Sequence, residues 1–139
     1  FDERILPAWN RGAVVLSDRF TDSTLAYQGD GRGLGRNVVM ALHEIACHGL
    51  QPDMTISIDI DHKTAIERAR WRTAQDANRD RMEDEAEEFH ARVRKAYLDL
   101  AQRCPDRIRI IDGAGTVDEV AERVWDAVTP LLKEHSMNG

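Results

Sequence analysis

The stretch MTISID, residues 54–59, alternates apolar with polar residues and ends on an aspartate, a pattern typical of a β-strand. Residues 13–17, AVVLS, form a short apolar run, and residues 107–112 form a third strand-like run. The run at 107–112 also ends on an aspartate, and the run at 13–17 leads into Asp18. Because open α/β sheets bind their ligands at the carboxyl ends of the strands, these aspartates predict the end of the sheet where a ligand would lie.

Helical periodicity fills the intervals between the predicted strands. Apolar residues recur at three- and four-residue steps from Val38 to Leu50, with Asn37 as the predicted N-cap. Further helices are predicted behind Asp61, over about residues 89–104, and from about 117 to 132 with Pro130 as an irregularity near the end. Strands that alternate with helices predict an α/β fold with a mainly parallel sheet, in a single domain over residues 1–139.

Composition excludes several classes of protein. The 139 residues are 42% hydrophobic and 32% charged, which is ordinary for one globular domain, and the two cysteines show no spacing for a disulfide framework or a zinc site. We therefore assign no metal-ligating residues and expect a cytoplasmic protein. No stretch approaches the roughly 20 apolar residues of a membrane helix. A net charge of -6 argues against a nucleic-acid partner.

Residues 17–34, SDRFTDSTLAYQGDGRGL, carry the densest set of polar ligand groups. Arg19 can bind a phosphate through two parallel hydrogen bonds, Asp18 can orient a guanidinium or a magnesium-bound water, and Gln28 offers donors and an acceptor to a base edge. The alternative is that Asp18 and Arg19 form a structural ion pair at a strand end and that the glycines are ordinary turns. The spacing alone leaves both interpretations open.

The glycines of this stretch do not form a dinucleotide-binding fingerprint. A GxGxxG motif would need its third glycine at Leu34 or at Arg36, and neither position holds one. No GxxxxGK[ST] phosphate loop occurs in the 139 residues either. Any phosphate chemistry must therefore rest on side chains such as Arg19, or on residues outside this chain.

Taken together, these motifs resemble the bacterial thymidylate kinase family. The resemblance rests on residues 18–20, 22–29 and 31–34 and continues, in order, through 51–55, 65–69, 80–83 and 88–97. It implies a three-layer P-loop kinase fold and transfer of the γ-phosphoryl group of ATP to dTMP, giving dTDP, with Mg²⁺ present. It also implies a homodimer.

The resemblance assigns roles to individual residues. Arg19 would hold the phosphate of the acceptor nucleotide, and Asp18 would help to organise the phosphate and magnesium region. Thr24 and Gln28 match positions that address the thymine, and Tyr27 matches the aromatic residue near the deoxyribose, where a 2′-hydroxyl is disfavoured. Phe20 stands where the family more often has a tyrosine.

A lid loop is implied over about residues 70–81. Its arginines are Arg70, Arg72, Arg79 and Arg81, of which Arg79 and Arg81 are the catalytic candidates. Phosphoryl transfer requires positive charge around the transferring group and exclusion of water, which a closing arginine-bearing loop supplies. For any single lid arginine, the alternative is a solvated side chain paired with a nearby carboxylate.

The resemblance also raises an expectation about residues outside this chain. A thymidylate kinase needs a phosphate loop for ATP, which we expect to precede Phe1, so that residues 1–139 would be the later portion of the kinase domain. An enzyme specific for another nucleoside monophosphate is the closest alternative. A non-catalytic binding or assembly module, derived from a kinase but lacking the phosphate loop, is an alternative from a different class.

Overall fold

The structure of the chain is a computed structural model. It describes the backbone of residues 1–61, 64 and 80–137, together with their side chains except those of residues 80–86 and 135–137. The chain divides into two compact units, Phe1–Asp53 and Met54–Gly139. Each unit is considered by itself.

Helices dominate the first unit. Helix α1 spans Ile5–Asn10, α2 spans Thr21–Thr24, a π-helix follows at Leu25–Gly31, and α3 spans Arg36–Cys47. Helix α3 packs against the π-helix and against α2. The buried apolar side chains of this unit are Leu25, Ala26 and Val39, so the core lies between the π-helix and α3.

The predicted strand at residues 13–17 is wrong. This segment forms no strand, and all five of its residues are exposed, with Val14 63% and Leu16 91% accessible. A strand is held by hydrogen bonds to a neighbouring strand, and no strand among the described residues pairs with this segment. An apolar run alone therefore does not produce a strand here.

The start of α3 also differs from the prediction. The N-cap is Gly35, not Asn37, and its φ of 84° is a conformation that favours glycine. The backbone N–H groups of Leu34 and Gly35 donate to the carbonyls of Gln28 and Gly29, which closes the preceding π-helix. The chain must therefore turn at Gly35, two residues before the predicted cap.

The second unit is built around a parallel strand pair. Strand β1 spans Thr55–Asp59 and β2 spans Ile108–Asp112, with Thr55 opposite Ile108 and Asp59 opposite Asp112. Helix α4, Asp80–Arg103, lies between them in the chain, and helix α5, Val117–Met137, follows; both pack against β2. The parallel pairing and these two strands confirm the sequence prediction.

Two helix boundaries depart from the predictions. Helix α4 begins at Asp80, so the last two residues of the predicted lid, Asp80 and Arg81, stand in the first turn of a helix. Helix α5 continues past Pro130 to Met137, because a proline removes one backbone donor without necessarily ending a helix. None of the helices that the structure describes is long and apolar enough to cross a membrane.

Candidate functional site

The side chain of Arg19 lies along the start of the helical segment that follows it. Its Nη1 donates a hydrogen bond to the hydroxyl of Ser23 at 3.0 Å, and its guanidinium carbon lies 4.9 Å from the centre of the Tyr27 ring. The hydroxyl of Ser17 donates to the carbonyl of Arg19 at 2.7 Å. A serine hydroxyl and a tyrosine ring are two neutral groups that can orient a guanidinium. Arg19 is exposed, so an anion can reach it.

Asp18 and Thr24 are exposed as well. Asp18 follows residues 13–17, which form no strand, so Asp18 does not lie at the carboxyl end of a strand in this unit. The hydroxyl of Thr24 donates to the carbonyl of Phe20 at 3.5 Å, a long bond that leaves the side chain on the surface of α2. Of the four predicted substrate-binding residues, the structure brings Arg19 and Tyr27 into contact.

Tyr27 and Gln28 lie in the π-helix, where both are half-buried. Gly29 and Gly31 are buried residues of the same helical element, so these two glycines are not ordinary turns. π-helices are rare and are frequently found at functional sites. The wider turn changes the spacing of side chains on the helix surface, so the residues around Gln28 do not follow an α-helical pattern.

An ion pair holds the end of the π-helix to the start of α3. The Nε of Arg36 donates to Asp30 at 2.9 Å, and its Nη2 donates to the same carboxylate at 2.5 Å. Both side chains are about three-quarters buried, at 23% and 29% exposure. Two parallel hydrogen bonds between charged groups fix orientation as well as distance. The backbone that carries Tyr27 and Gln28 is therefore anchored at its carboxyl end.

His43 is a buried polar residue that contacts the two residues following Arg19 and that the sequence did not single out. It is 7% exposed on α3, and its ring contacts the hydroxyl of Thr21 and the carbonyl of Leu50. The Phe20 ring meets the imidazole edge to face, with centres 5.4 Å apart. The available signal was its position four residues after Val39 on the buried face of α3.

The carboxyl ends of β1 and β2 carry the two predicted aspartates. Asp59 accepts hydrogen bonds from Nε and Nη2 of Arg94, at 2.6 and 2.7 Å, and Oδ1 of Asp112 accepts from the backbone N–H of Ala114 at 2.9 Å. The hydrogen bonds and charge of Asp59 raise the pKa of Arg94. Both carboxylates have hydrogen-bond partners within the protein. At this sheet edge, a structural role of the two aspartates is therefore favoured over ligand binding.

Comparison with known proteins identifies the family. The family model described as thymidylate kinase matches residues 1–124. The chain belongs to the thymidylate kinase family. Thymidylate kinases have the P-loop kinase fold, an α/β architecture with which the parallel pairing of β1 and β2 agrees.

Individual thymidylate kinases are similar over most of this chain. The thymidylate kinase of Pelobacter propionicus is 49% identical over 124 residues, which are 88% of this chain and 57% of that protein. The thymidylate kinase of Syntrophotalea carbinolica is 45% identical over 88% of this chain and 58% of its own length. That of Enterococcus faecalis is 42% identical over 96% and 62%. The chain thus spans about three fifths of the length of these curated thymidylate kinases.

The thymidylate kinase lid predicted over about residues 70–81 lies almost wholly outside the described residues. Arg70, Arg72 and Arg79 lie outside them, and so does most of the helix predicted behind Asp61. Arg81 stands in the first turn of α4, with its side chain outside the described set. At the edge of this region, Asp61 accepts a hydrogen bond from the backbone N–H of Thr64 at 3.0 Å. This is the contact of a helix N-cap.

Proposed function

We propose that this chain contributes the acceptor-nucleotide site of an enzyme that transfers the γ-phosphoryl group of ATP to dTMP and forms dTDP. The observation that carries the proposal is the placement of Arg19 in a chain of the thymidylate kinase family. Its guanidinium is exposed, supported by Tyr27 and directed by Ser23. This is the arrangement expected of a side chain that clamps a nucleotide phosphate.

In the proposed reaction, Arg19 binds the phosphate of dTMP through charge-assisted hydrogen bonds. The clamp places an acceptor oxygen in line with the γ-phosphorus of ATP and offsets the repulsion between the two anionic groups. Phosphoryl transfer needs little covalent chemistry from the protein, so positioning and charge account for most of the rate. Substitution of Arg19 should therefore lower the rate of phosphoryl transfer most strongly.

The residues after Arg19 would recognise the rest of the nucleotide. Thr24 and Gln28 supply hydrogen-bonding groups for the thymine, and Tyr27 packs near the deoxyribose. Because the Tyr27 ring also supports the guanidinium of Arg19, a single side chain would link sugar selection to phosphate binding. The anchored π-helix supports this proposal, because Tyr27 and Gln28 sit on a backbone held by Asp30 and Arg36.

The lid arginines complete the proposed machinery. Arg79 and Arg81 are proposed to stabilise the charge on the transferring phosphoryl group, with Arg70 and Arg72 as further positive side chains of the lid. A lid that carries the catalytic arginine also excludes water, which would otherwise hydrolyse ATP. The boundaries of about 70–81 for this lid, and one kinase domain over residues 1–139, belong to the same proposal.

ATP and Mg²⁺ are the proposed co-reactants. Among the residues that the structure describes, no group of three or more His, Cys, Asp or Glu side chains could hold a metal ion. Kinases bind Mg²⁺ mostly through substrate phosphates and retained waters, with only one or two carboxylates from the protein. Asp18, exposed beside Arg19, is the carboxylate that would contact such a water. The ion supplies charge neutralisation when bound.

The family resemblance implies a homodimer, and the cysteine content favours the cytoplasm; we keep both expectations within the proposal. Light scattering of the full-length protein tests the dimer. The non-catalytic binding or assembly module has no observation in its favour, since the relatives reported above are named as thymidylate kinases.

The test of the proposed function is a nucleotide assay on the full-length protein that contains this chain. ATP and Mg²⁺ are supplied with dTMP, dUMP or dCMP, and the diphosphate products are separated by ion-exchange chromatography. We expect dTDP and ADP in equal amounts, with dTMP preferred over both other acceptors. Preference for dCMP would favour a sister specificity, and the absence of any diphosphate product would favour the binding module.

A further inference from the structure

We propose that His43 is a positioning residue for Arg19, which deepens the proposed function and rests on it. The proposal arises from a buried cluster in the first unit, formed by His43, Thr21, Phe20 and the carbonyl of Leu50. These groups tie the start of α2 to the residues that follow α3, and Phe20 and Thr21 directly follow Arg19 in the chain.

His43 contacts two buried polar groups. Its Nε2 lies 2.7 Å from the carbonyl oxygen of Leu50, which can only accept, so the Nε2–H donates to it. The hydroxyl of Thr21 lies 2.6 Å from Nδ1 and 3.1 Å from Nε2 of the same ring. His43 is 7% exposed and Thr21 is 4% exposed, so both contacts are buried.

This cluster replaces the missing cap of α2. The N-cap position of α2 is Phe20, which has no side-chain acceptor, so the first turn lacks a capping hydrogen bond from that residue. Thr21, the first residue of α2, is instead fixed through its hydroxyl to α3. The Phe20 ring is held between His43, at 5.4 Å between ring centres, and Phe1, at 6.5 Å.

Arg19 immediately precedes Phe20, so the direction of its side chain depends on these anchors. With Phe20 and Thr21 fixed, the Arg19 side chain runs along α2 to Ser23 and Tyr27. Loss of the Thr21–His43 bond by substitution of either residue frees the backbone at this point and leaves the other buried polar group without this partner. His43 does not touch the substrate in this proposal; it acts through residues 20 and 21.

A matched pair of substitutions at Thr21 tests the role of the bond in the full-length protein. Thr21→Val keeps the shape and removes the hydroxyl, whereas Thr21→Ser keeps the hydroxyl and removes a methyl group. We expect Thr21→Val to raise the KM for dTMP about tenfold, the effect of one hydrogen bond, while Thr21→Ser stays within about twofold of the unsubstituted protein. The KM for ATP should remain unchanged in both variants.

His43→Ala should raise the KM for dTMP at least as much as Thr21→Val, and the two changes combined should add little. His90→Gln, at an exposed histidine of α4, is the matched control and should leave the KM for dTMP unchanged. If His43→Ala does not fold, the Thr21 pair alone carries the test. A KM for dTMP that rises when the Thr21–His43 bond is lost, with an unchanged KM for ATP, is a readout that a purely structural histidine would not give.

Two failures can be told apart. If the unsubstituted protein phosphorylates dTMP and Thr21→Val lowers the melting temperature without changing the KM for dTMP, the positioning role of His43 is overturned and the proposed function stands. If the unsubstituted protein forms no dTDP, the proposed function fails and the role of His43 fails with it.

Discussion

At the residue scale, the contact between Arg19 and Tyr27 joins two residues of the proposed nucleotide site. The guanidinium lies 4.9 Å from the centre of the ring, and the Ser23 hydroxyl orients it along α2. Stacking against an aromatic ring limits the rotamers of a long side chain before substrate arrives, which reduces the entropy lost on binding. In the proposed site, Tyr27 would therefore contribute to phosphate binding through Arg19 as well as to sugar selection.

Substitution of Tyr27 should separate these contributions. Tyr27→Ala removes the ring, so we expect the KM for dTMP to rise about tenfold and the preference for dTMP over its ribonucleotide counterpart to fall by a similar factor. Tyr27→Phe keeps the ring and is the control, with both quantities within about threefold of the unsubstituted protein. Values of kcat/KM for the two nucleotides provide the measurement. Unchanged sugar preference in Tyr27→Ala would contradict the placement of Tyr27 near the deoxyribose.

Sequence motifs predicted Arg19 and Tyr27 but could not predict His43. An Asp-Arg pair followed by Tyr-Gln is a local pattern, visible without knowledge of the fold. The role of His43 depends on Thr21, 22 residues away in the chain, and on the carbonyl of Leu50. Contacts at such a separation leave no periodic signal in the sequence.

At the element scale, hydrogen bonds at the helix N-terminus explain where α5 begins. The α5 N-terminus carries a capping box in which Thr116 Oγ1 accepts from the backbone N–H of Glu119, at 3.3 Å. In return, the Glu119 carboxylate accepts from the backbone N–H of Thr116 at 2.7 Å. The pattern T-x-x-E was present in the sequence and could have fixed this boundary.

The capping box gives α5 a defined pH dependence. The hydrogen bonds from Thr116 lower the pKa of Glu119 below its ordinary value of 4.5. The stabilisation is therefore present above the unfolded pKa and is lost as pH falls through the lower, folded pKa. Glu119→Gln should be less stable than the unsubstituted protein at pH 7, and the difference should shrink as the pH falls below about 4.5.

Chemical denaturation of both proteins across pH 3–7 provides this measurement. Glu122→Gln, on the same helix, is the control and should show no such convergence. A difference that stays constant over the whole range would show that the charge of Glu119 does not contribute to the cap.

Strands β1 and β2 were predictable because apolar residues recur along each run and an aspartate marks its carboxyl end. The segment at 13–17 is also apolar but forms no strand, because strand pairing depends on a partner and not on local composition. The π-helix was missed for a different reason. Gly29 and Gly31 indicate a turn in most contexts, whereas here packing against α3 and the Asp30–Arg36 pair stabilise a helical turn.

At the scale of the whole molecule, the chain belongs to the thymidylate kinase family, and each of its two units has its own set of elements. The first unit places Arg19, Tyr27 and Gln28 on or beside one helical segment, and the second supplies the parallel strands and the helix that begins at Asp80. Family membership rests on the match over residues 1–124. The chain spans about three fifths of its curated relatives, so activity is tested on the full-length protein.

The decisive measurement is steady-state dTMP kinase activity of the full-length protein with and without Arg19→Ala, with Arg103→Ala as a matched control at the exposed end of α4. Loss of a charge-assisted phosphate clamp should lower kcat/KM for dTMP by about two orders of magnitude or more, while the control stays close to the unsubstituted protein. Near-normal kcat/KM for dTMP in Arg19→Ala would contradict the assignment of Arg19 as the clamp on the acceptor phosphate.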